Sequence, residues 1–360
     1  MFECYADFKE AAGNWYKPPY SYGVFGTETV QQFEQEMANH EGAEYALAFP
    51  SGMAAIATTL GGLLSKDETL ALQKDVYSIT EDYSERYLGR MGITTKTIDF
   101  DDQNLTGISG LDAKVLYLES PTYNDYKILD LQNIINDAKS EGMIVVIDNS
   151  LATFLNVKPL DMGADAVIYS ASKHICGHGD ALLGCVMTNS EEIYKQIRDH
   201  QILAGYVTSP EDAALGLRGL ETLRVRMSHQ SSETEKLIDA LINMPWINEV
   251  RAAGFFAKDG KIINENKSFE LTPGLISITL ANELDDEQMD LFTRQFQTMK
   301  IGYGWGSTIS LALPKTGEGK TSIRISVGMD TADNILQDLD NGYEALQASS
   351  TITNTIKPKA

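Results

Sequence analysis

Two residues in this chain are of the type and in the setting to do covalent and acid–base work together. Lys173 lies in the run Asp165-Ala-Val-Ile-Tyr-Ser-Ala-Ser-Lys-His-Ile-Cys-Gly-His-Gly-Asp-Ala-Leu-Leu-Gly184. That run reads as a short buried strand (Ala166 to Tyr169), a small polar turn, a glycine-rich loop and a second apolar strand (Leu182 to Met187). A lysine at a strand end between serines and glycines is poorly placed for a solvated charge. It is well placed to form an imine with a carbonyl cofactor, because a desolvated lysine loses its proton easily. Ser170 and Ser172 offer hydroxyls beside it; the bland alternative is an exposed loop lysine. Asp148 ends the apolar run Ile144-Val-Val-Ile and precedes Asn149 and Ser150. Open α/β sheets bind ligands at strand C-termini, so this carboxylate either pairs with a protonated ring nitrogen or caps the next turn. An Asp at one strand end and a Lys at the next, about 25 residues on, is the arrangement expected of a pyridoxal phosphate site. There the lysine forms the Schiff base and the aspartate holds the pyridinium charge.

Three further positions extend this chemistry. Ser51-Gly52-Met53 follows an expected strand and opens an expected helix, where free N–H groups and the helix dipole favour a phosphate, although a serine N-cap beside a glycine is also ordinary structure. Tyr77, at a helix start, could stack on a planar cofactor or be a half-buried aromatic. Arg324 is the single basic residue of the expected strand Ser322 to Val327, and could clamp a substrate carboxylate or serve a surface ion pair. Two other patterns carry nothing. Gly319-Lys320-Thr321 has Pro314 where a phosphate-binding loop needs its first glycine. His174 and His178 flank Cys176 in a glycine-rich stretch without a further local ligand, so no metal site is expected.

The elements that must position these residues alternate. A helix from Thr29 stops at Gly42, and a strand (Tyr45 to Phe49) leads through Pro50-Ser51-Gly52 into a helix from Met53 to Leu64. Strands at Thr69 to Leu72, Thr94 to Phe100, Val115 to Leu118 and Ile144 to Ile147 interleave with helices at Ser78 to Leu88 and Leu131 to Ala138. Continuous apolar strands alternating with helices predict an α/β layer on a largely parallel sheet. From Pro210 a long helical register runs to Leu241, before strands at Leu275 to Leu280, Ile309 to Leu313 and Ile323 to Val327 and helices at Asp286 to Phe296 and Asp333 to Leu346. The division expected is an N-terminal arm (1–28) that is extended and contacts a neighbouring subunit, a cofactor-binding domain (29–220), a smaller C-terminal α/β domain (221–348) and a loose polar tail (349–360).

The 51 acidic and 29 basic side chains give a formal charge of −22, which repels a phosphate backbone and an anionic membrane surface. Three cysteines form no disulfide framework, and no apolar run is long enough to cross a bilayer. A cytoplasmic protein with neither nucleic acid nor membrane as partner is expected.

Over nearly its whole length the chain resembles the trans-sulfuration family of pyridoxal phosphate enzymes, which includes cystathionine β-lyase, cystathionine γ-synthase and γ-lyase, and methionine γ-lyase. The resemblance is carried by Glu41-Gly-Ala-Glu-Tyr-Ala-Leu-Ala-Phe-Pro-Ser-Gly-Met-Ala-Ala55, Glu119-Ser-Pro-Thr122, Val146-Ile-Asp-Asn-Ser150, Ser170-Ala-Ser-Lys-His-Ile-Cys-Gly-His-Gly-Asp180, Gly219-Leu-Glu-Thr-Leu-Arg-Val-Arg226 and Ile323-Arg-Ile-Ser-Val-Gly328. It implies an aspartate-aminotransferase-like fold and a homotetramer built as a dimer of dimers. It also implies that Ser170, Ser172, Gly52, Met53 and a neighbouring subunit's Tyr22 hold the cofactor phosphate, while Arg324 holds the α-carboxylate. The segment Tyr303-Gly-Trp-Gly-Ser307 looks most like cystathionine β-lyase, because the γ-acting branches carry an acidic residue and a Leu in place of Tyr303 and Trp305. Packed aromatics are the simpler reading of that pair. The implied reaction is β-elimination from cystathionine to homocysteine, pyruvate and ammonia. The alternatives are another activity of the family or a non-catalytic regulatory protein on the same fold. Two departures stand out: the family's arm Tyr-x-Arg appears as Tyr22-Gly23-Val24, and Gly304 replaces a serine. Loss of the guanidinium removes a charge-assisted bond of about 1.5–3 kcal/mol.

Overall fold

The computed structural model describes residues 2–12, 15–18, 20–100, 108–317 and 319–355. The chain divides into two compact units, one of Met1–Cys176 with Asp180–Thr222, the other of Gly177–Gly179 with Leu223–Ala360.

In the first unit the strands are β1 (Tyr45–Phe49), β2 (Thr69–Gln73), β3 (Thr94–Ile98), β4 (Val115–Glu119), β5 (Ile144–Asp148), β6 (Ala166–Tyr169) and β7 (Gly184–Thr188). Among the described residues they form one seven-stranded sheet in the order β1-β7-β6-β5-β4-β2-β3. The pairings from β3 across to β6 are parallel, and β7 runs antiparallel to both its neighbours. Side chains of one strand go alternately to the two faces, and both faces are covered. Leu70, Leu72, Tyr117 and Val146 join one buried cluster, while Ala71, Leu116, Leu118, Val145 and Ile147 join another. Burial on both faces is why the strands are apolar throughout rather than alternating.

Local signals fix the helices. Thr27 caps Glu28–Glu41, whose chain leaves through Gly42 at φ 85°. Pro210 opens the 32-residue helix Pro210–Leu241. Gly219 on that helix lies against the loop after Lys173; a Cβ there would stand 2.2 Å from the Ile175 carbonyl oxygen, so only glycine allows the approach.

The second unit holds a second seven-stranded sheet, ordered Lys261–Glu265, Phe255–Lys258, Ile247–Ala252, Leu275–Leu280, Ser322–Ser326, Leu311–Lys315, Lys300–Ile301. Its pairings are antiparallel except the last. Ile276, Ile278, Ile323 and Ile325 pack with Phe292 of helix Asp286–Thr293 and with Ile335 and Leu339 of helix Ala332–Thr355.

The structure departs from expectation at both ends. Residues 5–11 of the arm form a helix, Tyr5–Ala11, and Gly23–Phe25 a 3₁₀ turn. The arm lies on its own chain. Trp15 Nε1 and the Tyr16 hydroxyl donate to Asp199, and Arg198 donates to the carbonyls of Trp15 and Phe25. Asp199 and Arg198 belong to helix Glu191–Ala204, which the motif-led reading of the chain passes over. The tail expected to be loose from Ser349 instead continues the last helix to Thr355, and 356–360 lie outside the described residues. Among the described residues no helix is long and apolar enough to cross a membrane.

Candidate active site

The carboxyl ends of β4, β5 and β6 gather the acid, the lysine and their supports. Asp148 is the last residue of β5 and 6% exposed. Its Oδ1 accepts from the Ser150 backbone N–H at 2.9 Å, and its Oδ2 from the Tyr117 hydroxyl at 3.3 Å. Burial pushes its carboxyl up from the ordinary range, while the Ser150 donors, Tyr117 and the Lys173 charge pull it back. In register with it, Glu119 ends β4. Glu119 Oε2 accepts from the Tyr77 N–H at 2.7 Å, and burial followed by repulsion from Asp148 holds its carboxyl well above the usual range. Two buried carboxyls on adjacent strand ends titrate as a pair. Asp148, with more donors and the nearby ammonium, is raised less, and Glu119 is the one pushed further toward its neutral form.

The Glu119 bond fixes the backbone that carries Tyr77. Gln73 adds to this by donating its side-chain amide to Glu119 O at 3.0 Å and accepting from Glu119 N at 2.9 Å, which extends the β2–β4 ladder by one side chain. Tyr77 is half-buried, edge-on to Tyr123 with ring centroids 5.4 Å apart.

Lys173 sits one turn beyond β6. Its N–H donates to the Ser170 carbonyl at 3.0 Å, and Ser170 N donates to the Ser150 hydroxyl at 2.6 Å. The residue that supports Asp148 therefore also anchors the lysine turn. The Ser172 hydroxyl accepts from Leu183 N at 2.8 Å and donates to Leu183 O at 3.1 Å, so it ties that turn to the strand that follows.

A helix N-terminus that fits an anion lies alongside. Ser51 caps the helix Gly52–Leu63 by accepting from Ala54 N, so the first-turn N–H groups of Gly52 and Met53 have no intrahelical partner. A Cβ on Gly52 would come 2.6 Å from Ser170 Oγ; glycine keeps the helix N-terminus and that hydroxyl open to one anion. Amine, ring-facing acid and anion cradle together match the three polar ends of pyridoxal 5'-phosphate. Tyr22, by contrast, is 70% exposed and packs edge-on against Phe25 of its own arm.

In the second unit Arg324 projects from Ser322–Ser326 between Ser277 and Leu313 on the flanking strands, and its Nη2 donates to the Tyr303 carbonyl. The segment after Tyr303 is tied down further. Met329 N donates to Thr308 O at 2.9 Å, and Gly328 N to Ser310 Oγ at 2.9 Å. Tyr303 is 84% exposed and Trp305 half-buried. A Cβ on Gly304 would meet Leu311 Cδ1 at 3.2 Å, so a serine there requires Leu311 to give way slightly. Glu119, Tyr117 and Ser150 are the supports that residue-by-residue reading misses. A Glu closing the apolar run Val115-Leu-Tyr-Leu, as Asp148 closes its own, was the available signal.

Fold and site together describe an α/β chain that brings a lysine turn and a buried aspartate to the ends of adjacent parallel strands. Residues 4–344 match the model of the Cys/Met metabolism PLP-dependent enzyme family. The chain belongs to that family, with pyridoxal 5'-phosphate as its cofactor and the aspartate-aminotransferase-like fold. It is 30% identical to the mimosinase of Leucaena leucocephala chloroplasts over 89% of this chain and 75% of that one. To the cystathionine beta-lyase MetC of Bacillus subtilis it is 30% identical over 91% and 87% of the two chains. To the L-methionine gamma-lyase of Pseudomonas putida it is 28% identical, covering 91% and 85%. Among solved structures, cystathionine gamma-lyase of Lactobacillus plantarum complexed with L-serine superposes with TM-score 0.80 at 26% identity, covering 92% and 90%.

Proposed function

We propose that this protein is a carbon–sulfur β-lyase that cleaves cystathionine to homocysteine, pyruvate and ammonia. The observation that carries the reading is the backbone of Tyr303–Ser310. Arg324 and Met329 pin it at the Tyr303 and Thr308 carbonyls, so it presents an aromatic pair, Tyr303 and Trp305, where the γ-acting branches present an acid and a Leu. Aromatic walls narrow and dry a substrate site, which favours a single elimination over chemistry needing a second proton relay. The 30% identity to a cystathionine beta-lyase over most of both chains supports the same branch.

Pyridoxal phosphate supplies an electron sink for the negative charge that develops at the substrate Cα. The chain's own residues do the rest. Lys173 Nζ would hold the cofactor aldehyde and would be the base for the substrate Cα proton. Asp148 holds a proton on the ring nitrogen by its negative charge, which its donors preserve against burial. The helix N-terminus at Gly52 and Met53, with Ser170, holds the phosphate, and Ser172 fixes the turn bearing the lysine. Tyr77, its backbone held by Glu119, would stack on the ring, and Arg324 would take the α-carboxylate. As part of the same proposal, Tyr22 is lent to the phosphate of a neighbouring subunit in a homo-oligomer.

Product analysis tests the branch. Cystathionine should yield pyruvate; dominant 2-oxobutyrate would mean γ-cleavage and end the assignment.

A further inference from the structure

Outside the site just described, a cavity of about 500 Å³ opens between helix Glu28–Glu41, the start of β1 and the arm. Four tyrosines, Tyr16, Tyr20, Tyr45 and Tyr194, line it together with Glu34. Tyr45 and Tyr194 are stacked, ring centroids 4.8 Å apart at 26°. Glu28 and Glu44 add two more carboxylates to the lining, and among the described residues no lysine, arginine or histidine lines it.

Glu34 is the unusual member. Its Oε1 accepts from Ala48 N at 2.8 Å, and the side chain is half-buried in the cavity wall. The nearest cation, Arg198, is 4% exposed and spends its donors on Trp15 O, Gln201 Oε1 at 2.6 Å and Phe25 O, with its guanidinium 5.5 Å from the Tyr20 ring centre. It makes no ion pair with Glu34. Crowding by protein atoms raises the Glu34 carboxyl from 4.5 to about 7. A carboxylate set among aromatic faces is the environment that an organic cation satisfies, since tyrosine π-faces attract a desolvated ammonium. Three carboxylates repel an anion, and a neutral apolar ligand would displace water from the half-buried Glu34 without compensating its charge.

We propose that this cavity is a binding site for a small alkylammonium cation, separate from the cofactor site. The Ala48 peptide that Glu34 holds is also gripped from its carbonyl side by Gln201 at 2.6 Å, so the site's floor is built rather than mobile.

The test is calorimetric titration of the holoenzyme with choline and with its neutral isostere 3,3-dimethylbutan-1-ol. Choline is expected to bind one per chain, at least about tenfold tighter than the alcohol. Glu34→Gln, which keeps an oxygen for Ala48 N, should weaken choline about tenfold, and Tyr45→Leu should weaken it severalfold. Both variants should retain the cofactor absorption band and the turnover of the parent, which shows that the fold and the reaction site are intact. Choline and the alcohol binding equally, choline binding unchanged in both variants, or no choline binding to the intact holoenzyme would each overturn the proposal. None of these outcomes bears on the β-lyase assignment, which product analysis judges by itself.

Discussion

The strand ends at Asp148 and Lys173 and the segment Tyr303–Ser310 are both held firmly, but by different means. At the strand ends buried and half-buried groups are tied to one another: the Asp148 carboxylate by Ser150 and Tyr117, the Tyr77 backbone by the Glu119 carboxylate, and the Ser170 backbone by the Ser150 hydroxyl. In Tyr303–Ser310 the ties come from outside the segment, from Arg324 and Met329 to its carbonyls and from Gly328 to the Ser310 hydroxyl, while Tyr303 itself stays 84% exposed. A side chain that bonds another or holds a neighbour's backbone cannot change without cost to that neighbour, whereas an exposed side chain on a fixed backbone exchanges freely. On the proposed reading the reaction belongs to the first region and the choice of substrate to the second. The difference also orders the effects of mutation.

The largest effect belongs to Lys173→Ala, which removes both the covalent anchor and the base. Turnover should fall by on the order of 10⁴ or more, and the visible band of the holoenzyme should be lost. Asp148→Asn keeps the shape and the hydrogen bonds but not the charge, so turnover should drop by about a hundredfold or more with milder loss of cofactor affinity. The isosteric change at its neighbour, Glu119→Gln, should cost only a few-fold, because that carboxyl is already pushed toward its neutral form by burial and by Asp148. Equal losses at the two positions would show that the pair shares its charge evenly. In the second region, replacing Tyr303 with Glu and Trp305 with Leu should leave the absorption band intact while shifting the ratio of pyruvate to 2-oxobutyrate by roughly tenfold.

The smallest effect concerns stability rather than turnover. Glu41 is fully buried, accepts from the Tyr169 hydroxyl at 2.6 Å, and is raised by burial from 4.5 to about 7. The folded state therefore binds a proton that the unfolded chain has released between those values. Glu41 costs nothing below pH 4.5, its penalty grows as pH rises, and the penalty is complete above about 7. Glu41→Gln should then raise stability at pH 8 by roughly 1–2 kcal/mol relative to its effect at pH 4.5, read from denaturant midpoints at the two pH values.

The two regions were also unequally legible from the amino-acid sequence. Lys173 and Asp148 stand out because a polar residue closing a fully apolar strand is a strong contrast, and parallel strands buried on both faces produce such runs. The supports of that site were hidden. Ser150 and Tyr117 gain meaning only when β4, β5 and β6 are set side by side, and Glu119 reads as a strand end until its register with Asp148 is known. Helix Glu191–Ala204 was passed over because its apolar content is confined to a narrow face, Ile193, Tyr194 and Ile197. The hairpin Phe255–Lys258 and Lys261–Glu265 was also passed over, since its outer strand is exposed along its whole length and carries no alternation. The arm misled in the opposite direction: prolines and glycines argue for an extended segment, but Tyr5–Ala11 holds neither.

Reduction of the holoenzyme with borohydride, followed by proteolysis and mass spectrometry, tests the centre of this account most directly. A pyridoxyl group on the peptide containing Lys173, absent when that residue is alanine, is the predicted result. The label on another lysine, or on none, would contradict it.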